Sequence, residues 1–399
     1  MMKQIEISKH KLLGVAGLGW LFDAMDVGLL SFVIAALQKE WDLSVQQMGW
    51  IGSINSIGMA VGALIFGLLA DKIGRKWVFI ITLLLFSLGS GLSALAPTLS
   101  VFLVLRFLIG MGLGGELPVA STLVSESVPA SERGRVVVLL ESFWAGGWLV
   151  AALIAYFIIP HYGWKVAMLI SALPAFYALY LRLNLPDSPR FEGAVQKQSA
   201  WEKIQIVWSS TYVRPTIMLW ILWFCVVFSY YGMFLWLPSV MVLKGFSLIK
   251  SFEYVLIMTL AQLPGYFTAA WLIERAGRKF VLVSYLLGTA ASAYFFGAAE
   301  SLTMLITAGV FLSFFNLGAW GALYAYTPEQ YPTAVRGTGA GMAASFGRIG
   351  GILGPLLIGY LVAQNASITF IFTIFCIAIL IGVLSVLFLG KETKQQELV

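Results

Sequence analysis

Five ionisable side chains sit inside stretches that are otherwise apolar: Asp23, Asp26, Arg106, Glu116 and Arg348. A charged group away from water is expensive, and it is kept where it binds, pairs or moves charge. A guanidinium grips a carboxylate through two parallel hydrogen bonds and stays charged in any site. A carboxyl can exchange a proton there, because burial disfavours its charged form and a neighbouring arginine restores it. Arg106 and Arg348 are therefore candidate anchors for an organic anion. Asp23, Asp26 and Glu116 are candidate proton carriers. Glu141 and Glu253 lie near the ends of their segments, where each is expected to reach water.

The elements that hold these groups follow from composition. Of 399 residues, 60% are hydrophobic and only 11% are charged. A soluble domain carries about a quarter charged residues. A chain this poor in charge has lipid as its main solvent, and spanning lipid requires helices or a closed barrel. Long unbroken apolar runs point to helices. Twelve segments reach the roughly 20 residues a crossing needs. They are 12–37, 47–70, 77–96, 100–122, 136–160 and 164–185, then 214–243, 251–273, 280–299, 302–326, 337–363 and 369–389. The first run is longer than a signal-peptide core and has no small-residue cleavage pattern after it, so it reads as a retained helix.

With both termini in the cytoplasm, 19 of the 25 lysines and arginines fall on the cytoplasmic side, 4 outside and 2 within the membrane. That asymmetry sets the orientation expected for a multi-pass protein of the cell's inner membrane. The formal charge of +6 is spread over many short loops, which argues against nucleic-acid binding. Cys225 and Cys376 both lie in apolar runs and read as packing residues, with no metal or disulfide role.

The chain repeats itself at an offset of 203 residues. Asp71, Gly74, Arg75 and Lys76 fall on Glu274, Gly277, Arg278 and Lys279. Glu126, Pro129, Arg133 and Gly134 fall on Glu329, Pro332, Arg336 and Gly337. Two six-helix bundles of the same hand are implied, 1–185 and 214–399, joined by a polar cytoplasmic linker at 186–213. The loop charges are duplicated, whereas the five intramembrane charges are not: their counterparts are Val226, Ser229, Gly309, Ala319 and Ala145. A charge needed to fold each unit would occur in both, so these five read as substrate and coupling groups. At 1.5 Å per residue, Asp26 and Arg106 fall together in the outer half, and Asp23 and Arg348 nearer the midplane.

Gly67 to Lys76 resembles the signature loop between helices two and three of the major facilitator superfamily. Arg106-Phe-Leu-Ile-Gly-Met-Gly112 resembles its helix-four motif, and Pro186-Asp-Ser-Pro-Arg190 the motif closing the first half of its sugar-porter-like members. Gly390-Lys-Glu-Thr-Lys394 is a weaker echo of their C-terminal motif and lacks the proline before Glu392. Phe22-Asp23-Ala-Met-Asp26 is similar to helix one of aromatic-acid/proton symporters and synaptic-vesicle-two-related carriers. The resemblance implies an all-α membrane fold of twelve helices, with helices one, four, seven and ten lining a central cavity. It implies a secondary carrier without cofactor, acting as a monomer on a small molecule. Tyr231, Trp236, Trp320 and Tyr324 would then stack on a flat ring.

The short loops suggest a gate. A tight turn needs glycine, as at Gly67 and Gly74, and an acid there can sit at the positive N-terminus of another helix. Asp71 is expected at the first turn of the eleventh segment and Glu274 at that of the fifth. Arg75 and Arg278 would pair with Glu126 and Glu329, close to Arg133 and Arg336. Together these contacts would latch the cytoplasmic side while the carrier faces outward.

Other functions fit less well. His10 and His161 lie at opposite membrane faces with no metal-ligand spacing, and no phosphate-binding glycine loop is present, which argues against an enzyme or an ATP-driven pump. No filter sequence suggests a channel. Among carriers, an aromatic monocarboxylate such as nicotinate, moved with a proton, is the first expectation. A sugar is the runner-up, although the mid-helix amides are only Asn55, Gln262 and Asn316. A cationic or neutral amphiphile is third, and a transport-dead receptor-like member is the rival outside the carriers.

Overall fold

The computed structural model of the chain describes residues 9–73, 75–126, 128–129, 131–174, 176–177, 180, 199–332 and 334–394. The elements before residue 180 are α1 (Lys9–Glu40), α2 (Val45–Ile73), α3 (Arg75–Ser93), α4 (Leu99–Glu126), α5 (Arg133–Phe157), α6 (Ile159–Tyr162) and α7 (Trp164–Ile170). Those after it are α8 (Ala200–Val207), α9 (Val213–Leu243), α10 (Leu248–Leu260), α11 (Gln262–Ala276), α12 (Arg278–Ala298), α13 (Leu302–Glu329), α14 (Arg336–Ala363) and α15 (Ile368–Leu389). Among the described residues, nine helices are long and apolar enough to cross a membrane, and shorter apolar helices cover Ile80–Ser93 and Leu99–Gly114.

Helix ends carry local signals. Ser247, Ser301 and Ser367 each accept a hydrogen bond from the backbone N–H three residues on, starting α10, α13 and α15. Gly277 takes φ +98°, the left-handed region where a side chain is strained, and so lets the chain turn sharply from α11 into α12. Two expected crossings differ from single continuous helices. The eighth is divided at Ala261 into α10 and α11, because Pro264 has no N–H to give the carbonyl four residues before it. The sixth is helical as α7 over 164–170 and turns at 171–173, and most of its remainder lies outside the described residues, as does 186–198 of the expected linker.

Packing explains how the buried charges are held. α1 lies on α5 and α2 on α4; α9 lies on α14 and α15, and α11 on α13. Between the two halves of the chain, α2 meets α14, α1 meets α9, and α5 meets α10, α11 and α13. Gly58 and Gly62 press on the carbonyl oxygens of Phe107 and Met111, while Gly110 and Gly114 press on those of Asn55 and Met59, so α2 and α4 touch backbone to backbone. The outside is apolar, with Leu95, Phe176, Phe388 and Trp271 exposed, while Asp23, Asp26 and Arg106 are buried. This inversion of a soluble protein is what lipid as solvent demands.

Candidate functional site

A cavity of about 450 Å³ lies between the halves. That is a volume suited to a small organic ligand. It runs from Arg336 and Gly337, at the start of α14, inward to Arg348, three turns along the same helix. Ala60, Ala63 and Leu64 of α2 form one wall, and Trp223 of α9 with Tyr324 and Thr327 of α13 form another. The opposite end of the molecule is closed. There Ser53 Oγ donates to Ile352 O at 2.6 Å, joining α2 to α14. Phe32 and Phe252 meet edge to face at 5.2 Å, and Trp148 and Phe234 at 6.1 Å. Among the described residues, the cavity therefore opens toward the end bearing Glu274, Arg278 and Arg336.

Arg348 is the half-buried cation of this cavity. Its Nη1 donates to Tyr231 OH at 3.2 Å and contacts Met59 Sδ at 3.7 Å. Among the described residues no carboxylate pairs with it. Beside it, Tyr324 and Trp223 stand at 5.1 Å and 71°, and Trp223 Nε1 is fixed by Thr327 Oγ1 at 2.9 Å. Aromatic faces next to a guanidinium with free donors can take a flat ring that carries an anionic group.

Of the other expected ligand residues, Tyr231 positions Arg348 and is itself buried. Trp320 stands one layer behind the wall, 5.7 Å from Tyr324 and stacked on Trp144 at 6.2 Å. Trp236 is buried away from the cavity lining. Arg106 is engaged elsewhere. Its Nη2 reaches Asp26 Oδ2 at 2.8 Å and Asn55 Oδ1 at 3.1 Å, and its Nη1 reaches Asp26 Oδ1 at 3.3 Å. Ser90 Oγ donates to the same aspartate at 2.5 Å. Relative exposures are 0% for Arg106 and 1% for Asp26, so this is a sealed ion pair supported by two neutral groups. Asp23, one helical turn earlier, is buried too.

Glu141 departs from expectation. Placed near a helix end and expected at water, it is instead 0% exposed. α5 begins at Arg133, so Glu141 lies roughly 12 Å along it. Trp20 of α1 covers it, donating Nε1 to Oε2 at 3.0 Å. The apolar run that marks the fifth segment starts three residues after Arg133, and this hid the depth. The arginine-to-glutamate spacing was the available signal.

At the open end, Glu274 Oε1 accepts from the backbone N–H of Arg135 at 3.0 Å, in the first turn of α5. Arg278 binds Glu274 at 2.7 Å and Glu329 at 3.0 Å. Glu392 accepts from the N–H groups of Arg278 and Lys279 at 2.9 and 3.0 Å, and Thr393 Oγ1 donates to Glu329 at 2.6 Å. The C-terminal Lys-Glu-Thr stretch is thus tied to the start of α12. Arg133 is buried at the head of α5, and Arg336 Nε donates to Pro328 O at 3.2 Å. Gly134, next to Arg135, has Glu274 and Arg278 against it, whereas its repeat counterpart Gly337 faces open space. The cavity mouth lies at Gly337, the repeat counterpart of Gly134, while the Glu274 contact at the head of α5 is engaged. The side chains of Asp71, Arg75, Glu116 and Glu126, and the surroundings of Gly67, lie outside the described residues.

Comparison with known proteins places this geometry. The sequence profile of the Major Facilitator Superfamily matches residues 16–263 and 254–398. A Bacillus subtilis protein whose name proposes a niacin/nicotinamide transporter, NiaP, is 72% identical over the whole of both chains. The niacin transporter NiaP of Acinetobacter baylyi is 47% identical, covering 98% of this chain and 95% of its own. Among solved structures, the xylose transporter XylE from E. coli in a partially occluded inward open conformation superposes with a TM-score of 0.80 at 18% identity, over 98% of this chain and 99% of that one. With its helices apolar outside and charged within, the chain is a multi-pass membrane carrier of a small molecule and not an enzyme, and it belongs to the major facilitator superfamily.

Proposed function

We propose that the cavity binds a small aromatic monocarboxylate, nicotinate in the first place and nicotinamide as its neutral relative, and that the carrier moves it by alternating access with a coupled proton. The observation that carries this reading is Arg348 with Tyr324 and Trp223: a cation with donors to spare and two aromatic rings that line one cavity of ligand size. The names of the two NiaP relatives support the same substrate class. The lysine and arginine asymmetry supports a cytoplasmic position for the open end, so the conformation is read as inward-facing.

Asp26 and Arg106 serve as the coupling pair in this reading, with Asp23 and Glu116 on the same path. A proton taken up by Asp26 from outside cancels its charge and releases Arg106. When the inward-facing form returns, Arg106 reclaims the carboxylate and the proton leaves. The α5–α11 edge, held by Glu274, acts as a hinge that stays closed while the α2–α14 edge opens at the Gly337 end.

Equilibrium binding of nicotinate, nicotinamide, glucose and a quaternary amine to purified carrier, followed by nicotinate counterflow in proteoliposomes, tests the proposal. Saturable nicotinate binding and counterflow are expected. Glucose or the amine binding in preference to nicotinate overturns the substrate, and binding without counterflow overturns the carrier.

A further inference from the structure

Glu141 belongs neither to the cavity lining nor to the Asp26–Arg106 pair. Its carboxyl is sealed from solvent. One oxygen accepts from Trp20 Nε1 at 3.0 Å, and the other has no hydrogen-bond partner. Tyr266 OH and Trp320 Nε1 are buried and lack partners as well. Tyr266 of α11 lies near the carboxyl, and the Trp320 N–H of α13 is close enough to act on it without forming a well-aligned hydrogen bond.

The contrast with Asp26 is instructive because both carboxyls occupy one protein. Asp26 has a guanidinium on both oxygens and a serine hydroxyl besides. Glu141 has one indole. Among the described residues, the titratable groups that interact with it are Tyr266 of α11 and Tyr324 of α13, and Tyr266 in turn interacts with Tyr230 of α9. Arg348 acts on Tyr324. From α1 comes Trp20, with Asp23 one turn further on. The charges of α6, α7 and α10 (His161, Lys165, Lys250 and Glu253) belong to the far end of the helices, and Glu274 sits at the head of α5. An ionised carboxylate in such surroundings needs a cation or several donors, and a neutral carboxylic acid needs neither.

We propose that Glu141 holds a proton in this conformation and is a proton site of the carrier separate from the Asp26–Arg106 pair. Its coupling role rests on the carrier reading above; its protonation does not. The placement supplies the switch. Glu141 is on α5, in the first half of the chain, while the two donors without a well-formed bond are on α11 and α13, in the second. A small shift of α13 and α11 against α5 brings the Trp320 N–H and the Tyr266 O–H onto the free oxygen. Together with Trp20 they make three donors on one carboxylate, which stabilises its charged form. The proton then leaves to water through the cavity, past Tyr324, which lines the cavity and also packs edge-on against Trp20 at 5.9 Å. In the present arrangement Trp20 alone makes a well-formed hydrogen bond to the carboxyl, and the proton stays.

Infrared spectroscopy of the purified carrier at neutral pH reads the proton directly. A carboxylic-acid carbonyl band that shifts in D2O is expected in the wild type. It should be lost in Glu141→Gln and persist in Asp26→Asn. Should Glu141→Gln not fold, Trp20→Phe is the second variant: it removes the indole donor, so the band must move to higher frequency. A band unchanged by either variant overturns the assignment. In proteoliposomes, the accumulation of nicotinate driven by a pH gradient is compared with counterflow. One proton lost from coupling removes about tenfold accumulation per pH unit imposed. A Glu141→Gln ratio equal to that of the wild type overturns the coupling role. A wild type that does not carry nicotinate fails the substrate proposal, and the infrared result still decides the proton.

Discussion

Asp26 and Arg106 are 80 residues apart in sequence and meet at 2.8 Å with both side chains sealed from solvent. Ser90 and Asn55 complete the set from α3 and α2, so four helices converge on one ion pair. Removing one member leaves the other charge buried without its partner, which costs about 3–5 kcal/mol. Asp26→Asn is therefore expected to lower the melting temperature of the purified carrier strongly. Asp26→Asn combined with Arg106→Gln should recover part of that loss, because no lone charge remains. A double variant less stable than the single one speaks against the pairing.

The aromatic wall makes a separate prediction. In the proposed site Tyr324 and Trp223 supply the ring faces, and Tyr324 also meets Trp20 and Trp320. Tyr324→Ala should weaken nicotinate binding by about 1–2 kcal/mol, whereas Tyr324→Phe keeps the ring and most of the affinity. Tyr231→Phe removes one hydrogen bond to Arg348 and is expected to cost about 1 kcal/mol. Titration of ligand against intrinsic fluorescence measures all three.

Glu274 at the head of α5 accepts a charge-assisted bond and sits in the positive end of that helix. Glu274→Gln keeps the shape and removes the charge. It should loosen the α5–α11 edge, seen as faster hydrogen exchange of the Arg135 amide and the first turn of α5. The first turn of α14, whose Gly337 faces the open cavity, should already exchange fast in the wild type.

Close backbone contact between α2 and α4 gives a stability prediction. A side chain at Gly62 collides with the carbonyl of Met111, which belongs to a rigid helix. Gly62→Val is expected to cost about 1–3 kcal/mol or more and to reduce the yield of folded carrier, read by size-exclusion chromatography.

Much of the fold was legible because lipid imposes a simple rule: long apolar runs must be helices, and the charges between them reveal sidedness. The pairing of Glu274 with the start of α5, and of Arg278 with Glu329, lay on duplicated loop residues that the offset of 203 exposed. What was hidden depended on rotation about helix axes and on depth. Arg106 and Arg348 read alike in sequence, yet one is spent on Asp26 and Asn55 and the other lines the cavity. Trp320 and Trp236 read alike with Tyr324, yet only Tyr324 reaches the lining. The depth of Glu141 depends on α5 starting at Arg133, three residues before the apolar run begins. The division of the eighth crossing at Ala261 followed from Pro264, a residue in plain view within an apolar run.

Equilibrium binding to purified wild type and Arg348→Ala, with nicotinate and nicotinamide side by side, bears most directly on the account. The anion needs the guanidinium and the amide does not. Nicotinate affinity should fall by about 100-fold, near 2.7 kcal/mol, while nicotinamide falls by a few-fold at most. Equal nicotinate affinity in the two proteins, or an equal loss for both ligands, would contradict the role given to Arg348 and with it the assignment of the cavity to an organic acid.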